Sequence, residues 1–439
     1  MPYMSAQTAS PTPDLSLPSI PSAFKPAARR RPRRVFVLAP LVLVLSLALS
    51  GGILLLCPPV LEAMSAVFLK PQPGAVPWNG HDRITVVAMG LTQRTTEPAR
   101  TDTILVMDID PPNHRVNMLS VPRDLWVTIP GYSQGKGKLA IAYAIGGPKL
   151  TAYTLEHELG IPVDYTIALT FRGFTKIVDA MGGVTVNVPQ ELKDDTYPCL
   201  TGYSYCPIDI KPGKQHMDGA TALEFVRERH AFAQQDLARV QDQQAFADAL
   251  KHTIISPFTW SRYPAMLDAL QKGLITNLPL NDLPAVGAQY VLPTNHVNHS
   301  YINVDNGLVK PDSSPDGQSI LTPTDASSIP NLVHRLFADS NVAQENAAVA
   351  VLNGTPTSGV ANDVETTLAG IGFHTVMAGN ANSTGYQQSE VIVNTAVGGQ
   401  ADYTARRLQR LFDAKLARQS LPGQIARVVV IVGSDFPTT

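Results

Sequence analysis

Arginine is the residue type whose placement most strongly suggests chemistry in this sequence. Arg227 and Arg229 lie two residues apart in EFVRER, so an extended chain would point both guanidinium groups to one side, about 6–7 Å apart. Such a pair suits a diphosphate, because guanidinium groups bind phosphate oxygens through paired hydrogen bonds. In the helix predicted next, Asp236, Arg239 and Gln243 have the spacing of one helix face.

Two further arginines and an aspartate lie at the ends of predicted strands. Arg123 follows a strand in SVPRD, and Arg100 precedes Asp102 at the start of another. Strand ends are where α/β proteins collect ligand-binding groups. Simpler interpretations exist for each residue: a single arginine can be a solvated surface residue or half of a weak ion pair, such as Asp236 with Arg239, and Asp102 can simply begin its strand.

Several familiar catalytic motifs are absent from the sequence. There is no phosphate loop ending in GK[ST], no dinucleotide fingerprint and no HExxH pair. Ser133 and Lys136 spell the SxxK of acyl-transfer enzymes, but they lie in the loop GYSQGKGK without the companion motifs. The arginines therefore carry the main functional hypothesis.

The amino-terminal region predicts a membrane anchor. Residues 35–57, VFVLAPLVLVLSLALSGGILLLC, carry no charge, and as a helix they would reach about 35 Å, enough to cross a bilayer core. Residues 1–34 hold six basic residues against one acidic residue and predict a disordered cytoplasmic tail. A cleaved signal peptide is the alternative, but it needs a shorter apolar run and a small-residue exit site.

The chain beyond the span is predicted to lie outside the cytoplasmic membrane. From residue 35 onward it holds 28 basic and 35 acidic residues, a net charge of −7, which excludes a general nucleic-acid binder. Cys199 and Cys206 lie in the loop YPCLTGYSYCP. An oxidising compartment favours a disulfide between them over two unpaired thiols.

Alternation of β-branched runs with helix-period segments predicts an α/β protein. A Pro- and Gly-rich stalk over residues 58–80 precedes a first domain over 81–338, and a polar linker at 339–346 precedes a second domain over 347–436. The second domain shows two successive β-α-β units. It shows no cluster of titratable groups, which favours binding or positioning over chemistry.

The predicted elements follow from these patterns. The strands of the first domain are residues 84–90, 102–110, 115–122, 125–130, 164–170 and 184–189, and those of the second are 347–354, 373–379, 389–394 and 427–433. The helices are 151–160, 171–183, one that Asp218 can cap, one over about 235–255, and, in the second domain, 359–370 and 403–412.

In combination these segments resemble the LytR-CpsA-Psr phosphotransferases, which attach glycopolymers to the bacterial cell wall. Five matching stretches follow in order between residues 84 and about 251: RTDTILVMDID, NMLSVPRDLWVTIPG, FRGFTKIVDAMGGVTVNVP, GKQHMDGATALEFVRERH and DLARVQDQQAFADAL. The terminal segment that begins VAVLNGTPTSG resembles the carboxy-terminal domain that accompanies many of these proteins.

The resemblance implies a three-layer α/β/α core with a mixed central sheet and a small carboxy-terminal α+β domain. It also implies an apolar pocket for a polyprenyl chain, with arginines holding its pyrophosphate. Arg123 and Asp102 would be catalytic, and Asp102 would bind Mg²⁺. Carried over by position, the pyrophosphate-binding residues are Arg100, Arg123, Arg227, Arg229, Arg239 and Gln243.

Three positions depart from the family's pattern. Thr92 stands where the family commonly has a second metal-binding carboxylate. Ala140 lacks the amide of the usual KxN, and Asp242 stands where an arginine often precedes the glutamine. Because the arginines named above remain, the sequence favours a diverged active enzyme over an inactive one.

The implied reaction is attack by a peptidoglycan hydroxyl on a glycopolymer phosphate that is carried by polyprenyl pyrophosphate. Phosphoryl transfer requires mainly positioning and electrostatic stabilisation, so the lack of a protein nucleophile is no objection. Two alternatives are a non-catalytic binder or scaffold for lipid-linked wall precursors, and a polyprenyl-pyrophosphate hydrolase that uses water.

Overall fold

The structure, a computed structural model, describes residues 75–92, 98–197, 199, 204–227, 245–246, 248–254, 256–291 and 294–437. The predicted membrane span, its tail and most of the stalk lie outside these residues, as do Arg229, Arg239, Asp242 and Gln243. Within the described ranges, no helix combines the length and the apolar character that a bilayer crossing needs.

Nineteen strands are described, numbered here in chain order. They are β1 (Ile84–Thr92), β2 (Arg100–Asp110), β3 (Arg115–Val121), β4 (Trp126–Thr128), β5 (Lys136–Lys138), β6 (Tyr165–Thr170), β7 (Val184–Val188), β8 (Leu192–Asp194), β9 (Ile208–Ile210), β10 (Gly213–Met217), β11 (Leu274–Thr276), β12 (His296–Tyr301), β13 (Val309–Ser313), β14 (Ser319–Pro323), β15 (Val349–Asn353), β16 (Thr375–Asn380), β17 (Glu390–Asn394), β18 (Lys415–Gln419) and β19 (Val428–Val432).

Helices of the described part are numbered in the same way. They are α1 (Leu139–Leu159), α2 (Phe171–Met181), α3 (Gly219–Arg227), α4 (Pro257–Trp260), α5 (Tyr263–Gly273), α6 (Leu283–Val291), α7 (Ser328–Phe337), α8 (Ser340–Glu345), α9 (Val360–Gly370) and α10 (Asp402–Phe412). Non-helical backbone at Gly146 and Gly147 interrupts α1. The helix predicted at 151–160 is therefore the second part of a longer element.

A six-stranded mixed sheet forms the centre of the first part of the chain, in the order β11-β6-β1-β2-β3-β12. Strands β1 and β6 are parallel, β2 runs antiparallel to both β1 and β3, and β12 is parallel to β3. Strands β1, β3, β6 and β12 therefore end where β2 begins. We call this the carboxyl end of the sheet and the opposite one the amino end.

Alternate side chains of these strands enter two different cores, which produces the predicted layers. Val87, Met89 and Leu91 of β1 pack in a cluster with residues of α1 and α7 on one face. Ile84 and Val86 pack with Tyr165 and with Val286 of α6 on the other. The mixed central sheet between two helical layers confirms the predicted α/β class.

The segment after α8 has its own five-stranded sheet, in the order β16-β15-β19-β17-β18. Strands β15 and β16 are parallel and connected through α9, and β17 and β18 are parallel and connected through α10. These are the two predicted β-α-β units. Strand β19 lies between them, parallel to β15 and antiparallel to β17, and all five of its residues are buried.

Three arginines of α10 join this second sheet to the amino end of the first. Arg406 and Arg410 bind Asp82, with nitrogen-to-oxygen distances of 2.7 and 3.2 Å. Arg410 also binds Asp164 at 3.1 Å, and Arg407 pairs with Asp339. The expectation that the carboxy-terminal segment shows no cluster of titratable groups was wrong, because its arginines pair with carboxylates from distant parts of the chain.

Candidate active site

Chain direction alone gathers several predicted residues at the carboxyl end of the central sheet. Thr92 ends β1 and pairs with Arg100, the first residue of β2. Arg123 comes two residues after the end of β3. Phe171 begins α2 immediately after β6. These strands are neighbours in the sheet, so the four positions lie along one end of it.

A β-bulge places Asp102 in this row. Gly90 pairs with Thr103 and Leu91 pairs with Thr101, so Asp102 is the extra residue of β2. Bulges re-aim side chains and are frequent beside active sites. The β2–β3 register pairs Ile104 with Val121, and two steps further along the same register Asp102 lies opposite Arg123.

Asp102 and Arg123 form an ion pair, in which the Asp102 side chain is 10% exposed and the Arg123 side chain 33%. Nε of Arg123 lies 3.4 Å from an oxygen of Asp124, and the second oxygen of Asp124 lies 3.1 Å from Nζ of Lys138. Opposite charges therefore alternate along this edge, which fixes the direction of the Arg123 side chain.

Ala140 supports Arg123 through the backbone. Its N–H donates to the carbonyl oxygen of Arg123 at 2.9 Å, and its methyl group is buried. The backbone thus holds the Arg123 loop at the position where the family's pattern has an amide side chain.

Arg227 occupies the last position of α3, so the extended geometry considered for the Arg227–Arg229 pair does not apply there. Its guanidinium carbon lies 4.1 Å from the centre of the Phe171 ring and 5.4 Å from that of Tyr197, and Nη1 donates to the Tyr197 hydroxyl at 3.0 Å. The guanidinium stacks on the aromatic ring that begins α2. Arg227 therefore belongs to the same end of the sheet as Arg123.

Two aspartates and a glycine set the position of α3. Asp218 caps the helix, as predicted: Oδ1 accepts from the N–H of Thr221 at 2.9 Å, and this hydrogen bond lowers the pKa of the carboxyl. Asp179 of α2 accepts from the N–H of Gly219 at 2.7 Å. A Cβ on Gly219 would lie 2.2 Å from the carbonyl oxygen of Thr175, so only glycine permits this close approach of α3 to α2.

The predicted Mg²⁺ ligand set is sparse in the described residues. No group of three or more His, Cys, Asp or Glu side chains in this part of the chain could hold a metal ion. Asp102 is a suitable single oxygen donor, and Thr92, at the end of β1, supplies a hydroxyl instead of a second carboxylate. One carboxylate fits the mode in which Mg²⁺ is held mainly by substrate phosphates and water.

The remaining predicted residues lie elsewhere. A disulfide joins Cys199 and Cys206, whose Cα atoms are 5.0 Å apart. Ser133 lies in the turn between β4 and β5, and Lys136 begins β5. The SxxK motif therefore lies on a hairpin and not on a helix.

Sequence reasoning did not identify Phe171, Tyr197 or Asp124 as parts of the site. Asp124 directly follows Arg123, so an ion pair between neighbours could have been considered. Phe171 and Tyr197 contact Arg227 only because α2, α3 and the loop before β9 converge. No local sequence pattern predicts that contact.

The mixed central sheet, with arginines at its carboxyl end, defines an α/β protein in which this end of the sheet attracts anions. Residues 65–326 match the model of the LytR_cpsA_psr family, and residues 346–436 match that of the LytR cell envelope-related transcriptional attenuator. The chain belongs to the LytR_cpsA_psr family.

Named relatives and solved structures are similar to this chain. "Regulatory protein MsrR" of Staphylococcus aureus strain Mu50 is 28% identical over 247 residues, 56% of this chain and 72% of the relative. "Polyisoprenyl-teichoic acid--peptidoglycan teichoic acid transferase TagU" of Oceanobacillus iheyensis is 28% identical over 284 residues, 61% of this chain and 85% of the relative. The crystal structure of TagV from B. subtilis has 24% sequence identity and a TM-score of 0.47, covering 58% of this chain and 96% of that one.

Proposed function

We propose that this protein is a membrane-anchored phosphotransferase that moves a glycopolymer phosphate from a polyprenyl-pyrophosphate carrier to a peptidoglycan hydroxyl, forming a phosphodiester. The predicted single span at residues 35–57 would hold it in a bacterial cell membrane, with the amino terminus cytoplasmic and the domains outside. The observation that carries the proposal is the row of Arg100, Arg123 and Arg227 at one end of the central sheet, with Arg123 oriented by Asp102 on a β-bulge.

This arrangement suits a pyrophosphate. Arginine forks bind phosphate oxygens bidentately, and three of them spread along strand ends can contact both phosphates of a diphosphate. The name of the TagU relative describes a polyisoprenyl-linked donor and a peptidoglycan acceptor. That name supports the choice of donor and acceptor classes for this chain.

In the proposed reaction, an acceptor hydroxyl attacks the phosphate that carries the glycopolymer, and polyprenyl phosphate leaves. Arg123 would stabilise the negative charge that develops on the phosphate oxygens, because Asp102 holds its guanidinium in place before substrate binds. Arg227, stacked on Phe171, would hold the second phosphate. Outside the described residues, Arg229, Arg239 and Gln243 are proposed to complete the phosphate site.

A Mg²⁺ ion is part of the proposal. Asp102 would be its protein ligand, with Thr92 replacing the second carboxylate. When bound, the ion would neutralise charge on the pyrophosphate.

One incubation separates the three hypotheses. The full chain in detergent is mixed with a polyprenyl-pyrophosphate glycan and Mg²⁺, with and without soluble peptidoglycan oligomers. Transfer that requires the oligomers supports the phosphotransferase, release of the glycan phosphate without them supports the hydrolase, and tight donor binding without turnover supports the scaffold. A parallel incubation with excess chelator tests the Mg²⁺ requirement.

Arg227→Ala and Arg229→Ala test the phosphate site. Each variant should weaken binding of the donor by about tenfold or more, because each removes a charge-assisted contact to phosphate. Arg418→Ala is the matched control, since Arg418 is an exposed arginine of β18 paired with Asp402. If both site variants bind and react like the parent, the arginine assignment is wrong.

A further inference from the structure

A short hairpin begins directly after Arg123. Its strands β4 and β5 pair Trp126 with Lys138 and Thr128 with Lys136, so these four side chains lie on one face, which we call the hairpin face. On the opposite face Val127 is buried, and a Cβ on Gly137 would lie 2.5 Å from Cδ1 of Ile141 in α1. One side of the hairpin therefore belongs to the core, and the hairpin face is turned outward.

The hairpin face is continuous with the candidate active site. Lys138 binds Asp124 at 3.1 Å, and the other oxygen of Asp124 lies 3.4 Å from Nε of Arg123. A ligand that covers Trp126 and Lys138 would therefore extend to Arg123, the residue proposed to bind the reacting phosphate.

The hairpin is held firmly from its other side. The N–H of Leu321 in β14 donates to the carbonyl oxygen of Asp124 at 3.0 Å, and Leu125 forms a bridge with Leu321. Leu125, Val127 and Ile129 are all buried in the core that α1 and α7 cover. A surface on such a support can bind a ligand with little loss of conformational entropy.

The chemistry of the hairpin face combines an aromatic plane with cations. Trp126 is half-buried, and it belongs to none of the hydrophobic clusters found in the described part of the chain. An indole ring offers a flat apolar surface and one N–H donor. A pyranose ring presents a flat apolar C–H face with a rim of hydroxyls, so the two surfaces are complementary.

The lysines favour a saccharide that carries carboxylates. Lys136 is exposed, and Lys138 is half-buried beside Asp124. An ammonium group is a strongly hydrated point charge that attracts anions without demanding one geometry. Peptidoglycan glycans have both features, because the lactyl groups on their sugar rings carry stem peptides that end in carboxylates.

We propose that the hairpin face is the acceptor subsite, where a pyranose ring of a carboxylate-bearing glycan packs on Trp126 and its carboxylate binds Lys136. The inference rests on the proposed function, since it assigns a binding surface to the peptidoglycan acceptor that this function requires. Bound in this way, the glycan would present a hydroxyl toward Arg123 and the donor phosphate.

Binding of soluble peptidoglycan oligomers, prepared as muropeptides from digested cell wall, tests the subsite. The full chain in detergent should bind them, Trp126→Ala should weaken binding by about tenfold, and Trp126→Tyr should retain most of it because the ring remains. Phe258→Ala is the matched control, since Phe258 is an aromatic side chain, 89% exposed, in α4. Lys136→Glu, an exposed change, should also weaken binding, and it tests the subsite independently of how Trp126→Ala folds.

A second measurement separates this inference from the proposed function. Donor binding should be unchanged in Trp126→Ala, while the KM for the oligomers in the transfer reaction rises and kcat changes less. If the parent transfers but both Trp126→Ala and Lys136→Glu keep its affinity for the oligomers, the subsite is wrong and the function stands. If oligomer binding depends on Trp126 but no transfer occurs, the subsite stands and the phosphotransferase is wrong. A parent chain that binds no oligomer overturns the subsite.

Discussion

At the residue scale, Asp102 has the most informative position. In a regular β2 this residue would pair with a residue of β1. The bulge between Gly90 and Leu91 leaves it outside the β1–β2 pairing, and its side chain binds Arg123. The carboxylate can then do two things: orient the guanidinium and offer an oxygen to a cation. Both depend on its negative charge and neither depends on packing, so charge and shape can be tested separately.

Asp102→Asn should lower the transfer rate by about 100-fold. The amide no longer holds the charged Arg123 side chain in place, and a small misplacement of a catalytic group costs about that much. The melting temperature should change little, since the amide keeps the shape of the side chain. Single-turnover transfer with saturating donor, together with a thermal melt, measures both quantities.

Asp209→Asn is the matched control for this prediction. Asp209 is a half-exposed aspartate on β9, paired with Lys211 at 2.8 Å. The control should react like the parent. A normal rate in Asp102→Asn would show that the charge of Asp102 has no part in the reaction.

At the scale of elements, sequence patterns identified the helix ends and strands that depend on neighbouring residues alone. Helix α2 begins where the Thr170 hydroxyl accepts from the N–H of Gly173, and it ends at Gly182 with φ of 88°. Thr170, directly before FRGFTKIVDAMGG, and the glycine pair that ends this stretch are both visible in the sequence. The central strands of both sheets were predicted for a similar reason, since their apolar residues form uninterrupted or alternating runs.

The features that were missed depend on partners distant in sequence. Strand β18 pairs with β17, but its residues are mostly exposed and show no apolar alternation. The bulge at Asp102 exists only in the register with β1. Helix α3 continues to Arg227, where an extended chain was considered, because Asp179 and the close approach at Gly219 dock it on α2. The row of arginines was therefore predictable, and its geometry was not.

A contact between two helices predicts that the stability of the fold depends on pH. His157 of α1 lies 3.4 Å from Asp363 of α9 and 3.2 Å from Glu158. Hydrogen bonds to Asp363 and to Glu158 raise the pKa of His157 from 6.5 to about 10. Because the folded state holds the proton more tightly, this contact stabilises the fold fully below pH 6.5, and the stabilisation is lost as the pH rises to about 10.

Denaturation midpoints of the full chain between pH 6 and pH 10 test this contact. The parent should lose stability over this range more steeply than His157→Gln, which cannot gain the proton. His252→Gln removes an exposed histidine outside the contact and should follow the parent. Equal slopes for the parent and His157→Gln would contradict the assignment.

At the scale of the molecule, the two ends of the central sheet have different roles: one carries the candidate site, and the other binds the second sheet. Strand β1 has nine residues, so at about 3.3 Å per residue roughly 30 Å separates its ends. The arginine row lies at the carboxyl end. The second sheet docks at the amino end, through Asp82 and Asp164, so the second sheet leaves the candidate site open.

The docking contact is an ionic cluster with little access to water. Arg407 is 1% exposed and pairs with Asp339 and, at 3.4 Å, with Asp164. Burial acts to raise the pKa of Asp339, but the charge of Arg407 and the Tyr403 hydroxyl outweigh it, so the pKa is lowered. The carboxylate therefore stays ionised within the interface and depends on its cation.

Arg407→Met should destabilise the full chain by about 3–5 kcal/mol, because it leaves buried carboxylates without their partner. Methionine fills a similar volume, so the loss reports on charge more than on packing. Chemical denaturation followed by tryptophan fluorescence measures it. Arg418→Met removes an exposed arginine from the same segment and should cost less than about 1 kcal/mol. Equal midpoints for the two variants would show that the cluster does not hold the second sheet against the first, and that docking depends on the apolar contacts around Tyr153 and Phe436 instead.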